Sequence, residues 1–166
     1  MKPKKILLGI LITFSLVVLL MGCASRPSVG EKGSSIAVWD IDDLSLSKGA
    51  WPYLGEILSS QIIEVLKKRG DYVVVERQRL LLALKELRLG TTELVDETSR
   101  LKLGKMLGAR WMVFGGYQLI GDQMRLDLRL VEVETGKVRK AGHTTTRAAD
   151  LSGWMEGARK AAEELL

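Results

Sequence analysis

Few side chains in this sequence have the types and spacing that catalysis requires. The 166 residues include one cysteine, Cys23, and one histidine, His143. A nucleophile needs a base within hydrogen-bonding reach, and a structural zinc site takes four ligands, mostly cysteine and histidine. Because His143 precedes three threonines in a predicted strand, we expect it to be exposed or hydrogen-bonded rather than catalytic. A single cysteine also excludes an intramolecular disulfide.

Carboxylates are dense at one place, where Asp40, Asp42 and Asp43 follow each other closely. An EF-hand calcium loop needs further oxygen ligands at fixed positions, and these are missing here. We therefore interpret the three aspartates as solvated residues at a strand end and in a turn. The sequence also lacks the glycine-rich phosphate loop and the dinucleotide-binding glycine pattern. It predicts no catalytic residue, no metal site and no cofactor, so we expect a protein that is not an enzyme.

The net charge of +5 raises nucleic-acid binding as an alternative, and the position of the charges argues against it. Lys2, Lys4 and Lys5 stand at the extreme N-terminus. A second basic stretch, residues 76–88, has leucines interleaved with its charges, which is typical of the polar side of an amphipathic helix. We therefore expect no nucleic-acid partner. A composition of 46% hydrophobic and 27% charged residues also excludes a disordered chain.

The N-terminal lysines precede an apolar run over residues 6–21, and this order is typical of a secretory signal. The run is shorter than the roughly 20 residues that a membrane-spanning helix needs. We predict a signal peptide over residues 1–22. Its removal lowers the net charge from +5 to +2, so most of the apparent basicity belongs to targeting.

The residues around the only cysteine carry a second targeting pattern. Leu20, Met21 and Gly22 directly precede Cys23 and resemble the lipobox of bacterial lipoproteins, although Met21 departs from the usual small or β-branched residue. The resemblance implies that the Cys23 thiol carries a lipid with acyl chains such as palmitate. Each CH₂ group of these chains that is buried in the membrane contributes about 0.8 kcal/mol of membrane affinity. Because Ala24 replaces the aspartate that favours inner-membrane retention, it also implies an outer-membrane lipid anchor with the domain on the periplasmic face. The alternative is an uncleaved N-terminal anchor with an incidental cysteine.

The rest of the chain is predicted to form a tether and one domain. Residues 23–35 are small and polar and contain Pro27, Gly30 and Gly33, which is typical of a flexible tether. Residues 36–166 show the periodicity of strands and helices in the order β-α-β-α-α-β-β-β-α. The predicted strands are 36–41, 72–75, 110–120, 124–133 and 138–145, and the predicted helices are 53–69, 78–89, a third that begins near Asp96 or Thr98 and ends at Leu107, and 148–166.

The connections between these elements predict the fold class. The first two strands are joined through a helix, so we expect them to be parallel. The strand 124–133 alternates apolar and charged residues, which predicts one buried face and one solvated face. We therefore predict an α/β (α+β) fold, in which a mixed β-sheet is backed by helices in two or three layers.

Four stretches of the chain resemble, in order, the CsgG/HfaB family, whose best-known member is the curli production assembly/transport component. They read IAVWDI, YVVVERQRLLLALKEL, RWMVFGGYQLIG and DLRLVEVETGKV, and the most specific pieces are residues 75–78 and 130–136. The resemblance implies a periplasmic domain of an outer-membrane lipoprotein and self-association into a ring. The family's secretion channel adds long membrane-inserting β-hairpins. Because only residues 121–123 separate the two predicted strands here, we expect this chain to lack those hairpins and not to form the channel itself.

These observations predict a non-enzymatic protein that acts through protein–protein contacts in curli-type assembly/transport or in envelope assembly, with the envelope partner left open. The alternative is an LpoB-type activator of a penicillin-binding protein, which resembles the same fold. Such an activator needs a long tether, whereas the predicted one spans about 40 Å when fully extended. Trp51, Pro52 and Tyr53 are the interaction candidates, and the alternative for these aromatic residues is that they fold onto the core.

Overall fold

The structure, a computed structural model, describes residues 33–87, 96–147 and 150–166. The predicted signal peptide, the lipobox and Cys23 lie outside the described residues. The strands are β1 Ser34–Val38, β2 Asp42–Asp43, β3 Tyr72–Val74, β4 Trp111–Ile120, β5 Gln123–Glu132 and β6 Val138–Thr146. The helices are α1 Leu54–Arg69, α2 Arg77–Glu86, α3 Glu97–Met106 and α4 Leu151–Glu164.

The six strands form one open, mixed sheet in the order β3-β1-β4-β5-β6, and β2 pairs with β4 beyond the end of β1. β1 is parallel to β3 and to β4, which confirms the prediction of a parallel pair joined through a helix. β4, β5 and β6 form an antiparallel meander. The predicted fold class, a mixed sheet backed by helices, is confirmed.

Helices cover both faces of the sheet and produce three layers. On one face α1 and α4 pack against the apolar side chains of β1, β4 and β5. On the other face α2 and α3 cover a smaller cluster that includes Trp39, Met112 and Phe114. The predicted alternation of β5 is confirmed, because Met124, Leu126, Leu128 and Leu130 are buried and the charged residues between them are exposed.

The helix ends follow from local chemistry. α1 ends with three cations, which stabilise the negative end of its dipole, and with Gly70, whose φ of 75° is accessible to glycine at little steric cost. For α3 the structure decides between the two predicted starting residues in favour of Asp96, whose carboxylate caps the helix by accepting a hydrogen bond from the backbone N–H of Ser99.

The structure differs from the sequence prediction at β2 and at the start of β1. Asp42 and Asp43 were predicted as the end of a strand and part of a loop, but they pair with Gly116 and Tyr117 of β4. A strand of two polar residues has no periodic signal, and it forms here because β4 extends beyond β1. β1 begins at Ser34, two residues inside the predicted tether, because Ser34 and Ser35 pair with β3 and the backbone N–H of Arg110, just before β4, donates to the Ser35 carbonyl.

The antiparallel strands are joined by short turns, as the sequence predicts. Gly121 has a φ of 60° in the turn between β4 and β5, and Gly136 has a φ of 68° in the turn before β6. Among the described residues, no helix combines the length and the apolar character needed to cross a bilayer.

Candidate interaction site

Among the described residues, an exposed loop between β2 and α1 carries the largest concentration of exposed large apolar side chains. We call residues 44–53 the aromatic loop; it lies at the carboxyl end of the parallel strands. Leu46 is fully exposed, Tyr53 is 76% exposed and Trp51 is 50% exposed. Several large apolar side chains exposed in one short segment are typical of an interaction site. The three interaction candidates predicted from sequence, Trp51, Pro52 and Tyr53, all lie on it and all are exposed.

The base of the aromatic loop is hydrogen-bonded to β4. The backbone N–H of Leu44 donates to the carbonyl of Tyr117 at 2.8 Å. The hydroxyl of Ser45 accepts from the backbone N–H of Leu119 at 2.9 Å, and Ser45 is buried. Two contacts to the sheet therefore fix where the loop begins, and the exposed residues extend from a rigid base.

Asp43 organises the first turn of the aromatic loop. Its carboxylate accepts hydrogen bonds from the backbone N–H groups of Ser45 at 2.9 Å and Gly49 at 3.1 Å. Partial burial raises the pKa of Asp43, but hydrogen bonds from Ser45, Gly49 and Tyr117 outweigh burial and hold the pKa below its ordinary value. The carboxylate is therefore ionised at neutral pH and holds the loop.

Trp51 joins the aromatic loop to the core. Its ring meets the ring of Trp154 edge to face, with centroids 5.0 Å apart and an interplanar angle of 86°. Trp154 is buried on α4, whereas half of Trp51 stays exposed. Aromatic pairs of this geometry contribute about 0.5–1.5 kcal/mol beyond burial. Trp51 therefore combines the two sequence-based alternatives, since one side folds onto the core and the other side faces solvent.

Tyr53 has an unusual backbone conformation. Its φ is 67° and its ψ is 3°, and within the described residues it is the only non-glycine residue with positive φ. A left-handed backbone costs a residue with a Cβ roughly 1–2 kcal/mol. The tyrosine side chain is exposed, so burial of the ring does not offset this cost. Strained residues of this kind concentrate at functional sites, which makes Tyr53 the strongest candidate on the loop.

An ion-pair cluster beneath the aromatic loop ties three elements together. Arg77, at the start of α2, donates to the Asp40 carboxylate from Nε at 3.1 Å and from Nη2 at 2.9 Å. Its Nη1 lies 3.2 Å from Glu56 in the first turn of α1. The hydrogen bond to Asp40 raises the pKa of Arg77, and partial burial opposes this shift less strongly.

Asp42 forms the second pair at this end of the sheet. It accepts from Arg100 Nη1 at 2.9 Å and Nη2 at 3.2 Å, and the guanidinium lies 5.0 Å from the ring centroid of Trp39. The prediction that Asp40, Asp42 and Asp43 are solvated is therefore wrong: two bind arginines and the third binds backbone N–H groups. In the described ranges, no group of three or more His, Cys, Asp or Glu side chains is placed to hold a metal ion.

The most specific sequence motifs have structural roles. Glu76 lies 3.3 Å from Lys67, and its neighbour Arg77 binds Asp40, so both charged residues of this motif form ion pairs where α2 begins. In the other motif Glu132 accepts from the Thr135 hydroxyl at 2.6 Å and from Arg139 at 2.7 Å. The hydrogen bond from Thr135, which has the larger effect, and the one from Arg139 both lower the pKa of Glu132.

His143 is exposed, as the sequence predicts. Its imidazole is 70% exposed, and its backbone N–H donates to the Glu164 carboxylate of α4 at 2.8 Å. This backbone contact joins β6 to α4, so the position contributes to packing through its main chain.

We expect the Asp40–Arg77 pair to contribute measurably to stability. Both side chains are mostly buried, so Arg77→Ala leaves the Asp40 carboxylate without its bidentate partner and should cost about 2 kcal/mol. The double variant with Asp40→Ala should lose less than the sum of the two single variants. Urea unfolding of the full chain measures all three. The exposed pair Arg125–Asp127 is the control, and Arg125→Ala should change stability by less than about 0.5 kcal/mol. Additive losses at Asp40 and Arg77 would contradict the coupling.

The family profile described as curli production assembly/transport component CsgG matches residues 23–120, more than half of the chain. The chain belongs to the CsgG family. The match includes β1, the aromatic loop, the Asp40–Arg77 pair and all of β4. No curated protein sequence matches this CsgG-family chain.

Solved structures share the fold of this CsgG-family domain at low sequence identity. The LpoB C-terminal domain from Salmonella enterica is 17% identical with a TM-score of 0.60, over 79% of this chain and 92% of that one. Lipoprotein GNA1162 from Neisseria meningitidis is also 17% identical, with a TM-score of 0.61 over 74% and 88%. A PelC dodecamer from Paraburkholderia phytofirmans is 16% identical, with a TM-score of 0.52 over 86% and 94%. These similarities establish a common fold.

Proposed function

We propose that this CsgG-family protein is an outer-membrane lipoprotein that acts without catalysis, by binding another envelope protein through the aromatic loop. In this proposal residues 1–22 are a cleaved signal peptide, Cys23 carries the acyl chains and residues 36–166 form the periplasmic domain. The family match, which begins at residue 23, and the likeness to a protein named as a lipoprotein support it. The proposed process is curli-type assembly/transport or envelope assembly.

One observation carries the binding role, namely the strained and exposed Tyr53. Its left-handed backbone costs free energy, and its side chain is 76% exposed beside the half-exposed Trp51. Asn or Gly would relieve the strain at this position. A large aromatic residue is instead held in a fixed orientation by a rigid loop base, and aromatic residues are enriched at binding hot spots.

The second candidate function is activation of a penicillin-binding protein in the manner of LpoB. The observation that favours it is the likeness to the LpoB C-terminal domain, of which this chain covers 92%. The short reach from the anchor weighs against it, because the ten peptide units from Cys23 to Gly33 span at most about 36 Å. The identity of the captured partner separates the two functions.

Self-association into a ring is a further part of the proposal. The PelC structures with this fold are dodecamers by their descriptions, and the sheet described here has two open edges, β3 and β6, which offer unpaired backbone groups. We expect the detergent-extracted protein to have a mass of several subunits. A strict monomer at high concentration would overturn the ring.

Capture of the partner from cells tests the aromatic loop. We expect crosslinked pull-down with Tyr53→Asn to recover at least tenfold less of the envelope partner than wild type, because the ring that makes the contact is gone. Asn tolerates the left-handed backbone, so the free energy of unfolding should change by no more than about 1 kcal/mol. Thr145→Asn, at an exposed position of β6, is the control and should retain the partner.

The outcomes of this capture are distinct. A peptidoglycan synthase that wild type recovers and Tyr53→Asn loses would favour the LpoB-type function. A secretion or assembly component lost in the same way would favour the curli-type function. Equal recovery by wild type and Tyr53→Asn would contradict the role of the loop.

A further inference from the structure

The chain enters the domain at the end of the sheet opposite the aromatic loop. β1, β3 and β4 are parallel and begin together, with Ser34 opposite Tyr72 and Ile36 opposite Trp111. The backbone N–H of Gly33 donates to the carbonyl of Asp71 at 3.0 Å, so the entry point is fixed there. We call this end of the sheet, with the turn at residues 133–137, the tether end. It is the part of the domain closest along the chain to Cys23.

Among the residues that the structure describes, cations outnumber carboxylates at the tether end. The three side-chain carboxylates described there are each paired with a cation, in the pairs Asp71–Arg69, Glu132–Arg139 and Glu134–Lys105. Two further cations lie there, namely Lys68 and Lys137. The Lys140 ammonium donates a hydrogen bond to the backbone carbonyl of Leu166 at 2.6 Å. Within the described part of the chain, Lys68 and Lys137 form no ion pair, so this end carries an excess of positive charge.

Exposed apolar side chains accompany these cations. Met106, at the end of α3, is 61% exposed, and Val138, at the start of β6, is 50% exposed. The ion pair between Lys105 and Glu134, at 3.2 Å, holds the end of α3 against the turn that precedes Val138. Protein surfaces that lie on anionic bilayers typically combine exposed apolar residues with surrounding Lys and Arg.

We propose that the tether end is a membrane-binding surface for the anionic phospholipid headgroups of the leaflet that holds the anchor. The proposal rests on the acylation of Cys23 and adds an orientation to it. The short tether keeps the tether end within about 36 Å of the anchor. From Trp111 to Leu119, β4 runs away from this end for about 26 Å. The aromatic loop, which is bonded to Leu119, therefore faces away from the bilayer and towards the periplasm.

The single cysteine makes a direct test possible. In the acylated full chain the Cys23 thiol is consumed, so a cysteine introduced by Val138→Cys or Leu46→Cys is the only thiol that a fluorescent label can modify. The labelled chains are reconstituted in vesicles of phosphatidylcholine, with or without phosphatidylglycerol, that contain a lipid carrying a headgroup quencher. We expect the label at 138 to be quenched at least fivefold more than the label at 46 in the anionic vesicles.

Charge variants separate the surface from the anchor. Lys68→Glu with Lys137→Glu should weaken quenching at position 138 at least fivefold, because each cation near an anionic surface contributes a factor of about five. Lys48→Glu, one charge reversal of the same kind on the aromatic loop, is the control and should leave this quenching unchanged. Equal quenching at 138 and 46, or quenching independent of phosphatidylglycerol, would overturn the proposal. Flotation with pure phosphatidylcholine vesicles tests the anchor alone. Failure to float would contradict acylation of Cys23 and the orientation that rests on it, whereas flotation without the expected quenching ratio would overturn the membrane-binding surface alone.

Discussion

Alanine at Gly55 is expected to destabilise the domain by about 3 kcal/mol or more. Gly55 is in the first turn of α1, where a Cβ would overlap the carbonyl oxygen of Ile41. That oxygen belongs to the backbone, and the Ile41 N–H donates to the Gly55 carbonyl at 3.3 Å, so neither chain segment moves freely. The free-energy cost of this overlap is larger than the roughly 1 kcal/mol by which alanine stabilises a helix relative to glycine. Urea unfolding of the full chain measures the loss.

Gly157 in α4 provides the matched control for this prediction. A Cβ there would meet only the ends of side chains, at 3.3 Å from a methyl group of each of Met124, Thr144 and Thr146. Small movements of these methyl groups make room, and Gly157→Ala should change stability by less than about 1 kcal/mol. If the two variants unfolded at the same urea concentration, the close approach of α1 to Ile41 would be contradicted.

Cys23→Ala is expected to abolish acylation and membrane attachment. The thiol is the proposed attachment atom, and alanine offers no sulfur for a thioether. Cells labelled with radioactive palmitate should show no label on this variant, and the protein should leave the membrane fraction. Ser25→Ala, two residues away, is the control and should retain both label and location. Palmitate on Cys23→Ala would contradict the lipoprotein proposal, and with it the reach on which the orientation of the tether end depends.

The ion pairs at the carboxyl end of the sheet show where sequence reasoning stops. Asp40 and Asp42 stand out in the sequence as a dense group of carboxylates, and the sequence predicts them to be solvated. Their arginine partners lie 37 and 58 residues further along the chain. Pairing across such distances depends on how α2 and α3 pack on the sheet, which no local pattern encodes.

The sequence predicted the aromatic loop in part. Trp51, Pro52 and Tyr53 are conspicuous there because large aromatic residues flank a proline between a strand and a helix. The left-handed backbone of Tyr53 could not be predicted from the sequence, because tyrosine has no preference for this conformation. The contact of Trp51 with Trp154 joins residues far apart in the chain and required the docking of α4 on α1.

By itself the sequence determined the order of all elements except β2, the parallel first pair of strands, the solvated face of β5 and the CsgG-family resemblance. These follow from local spacing and composition, because each element must bury its own apolar side. Only the tertiary structure decided that β2 joins β4, that the aspartates bind arginines and that Tyr53 is strained. It also decided that the cations beside the chain entry gather at the end opposite the aromatic loop. Each of these depends on long-range packing, in which distant segments supply the partner atoms.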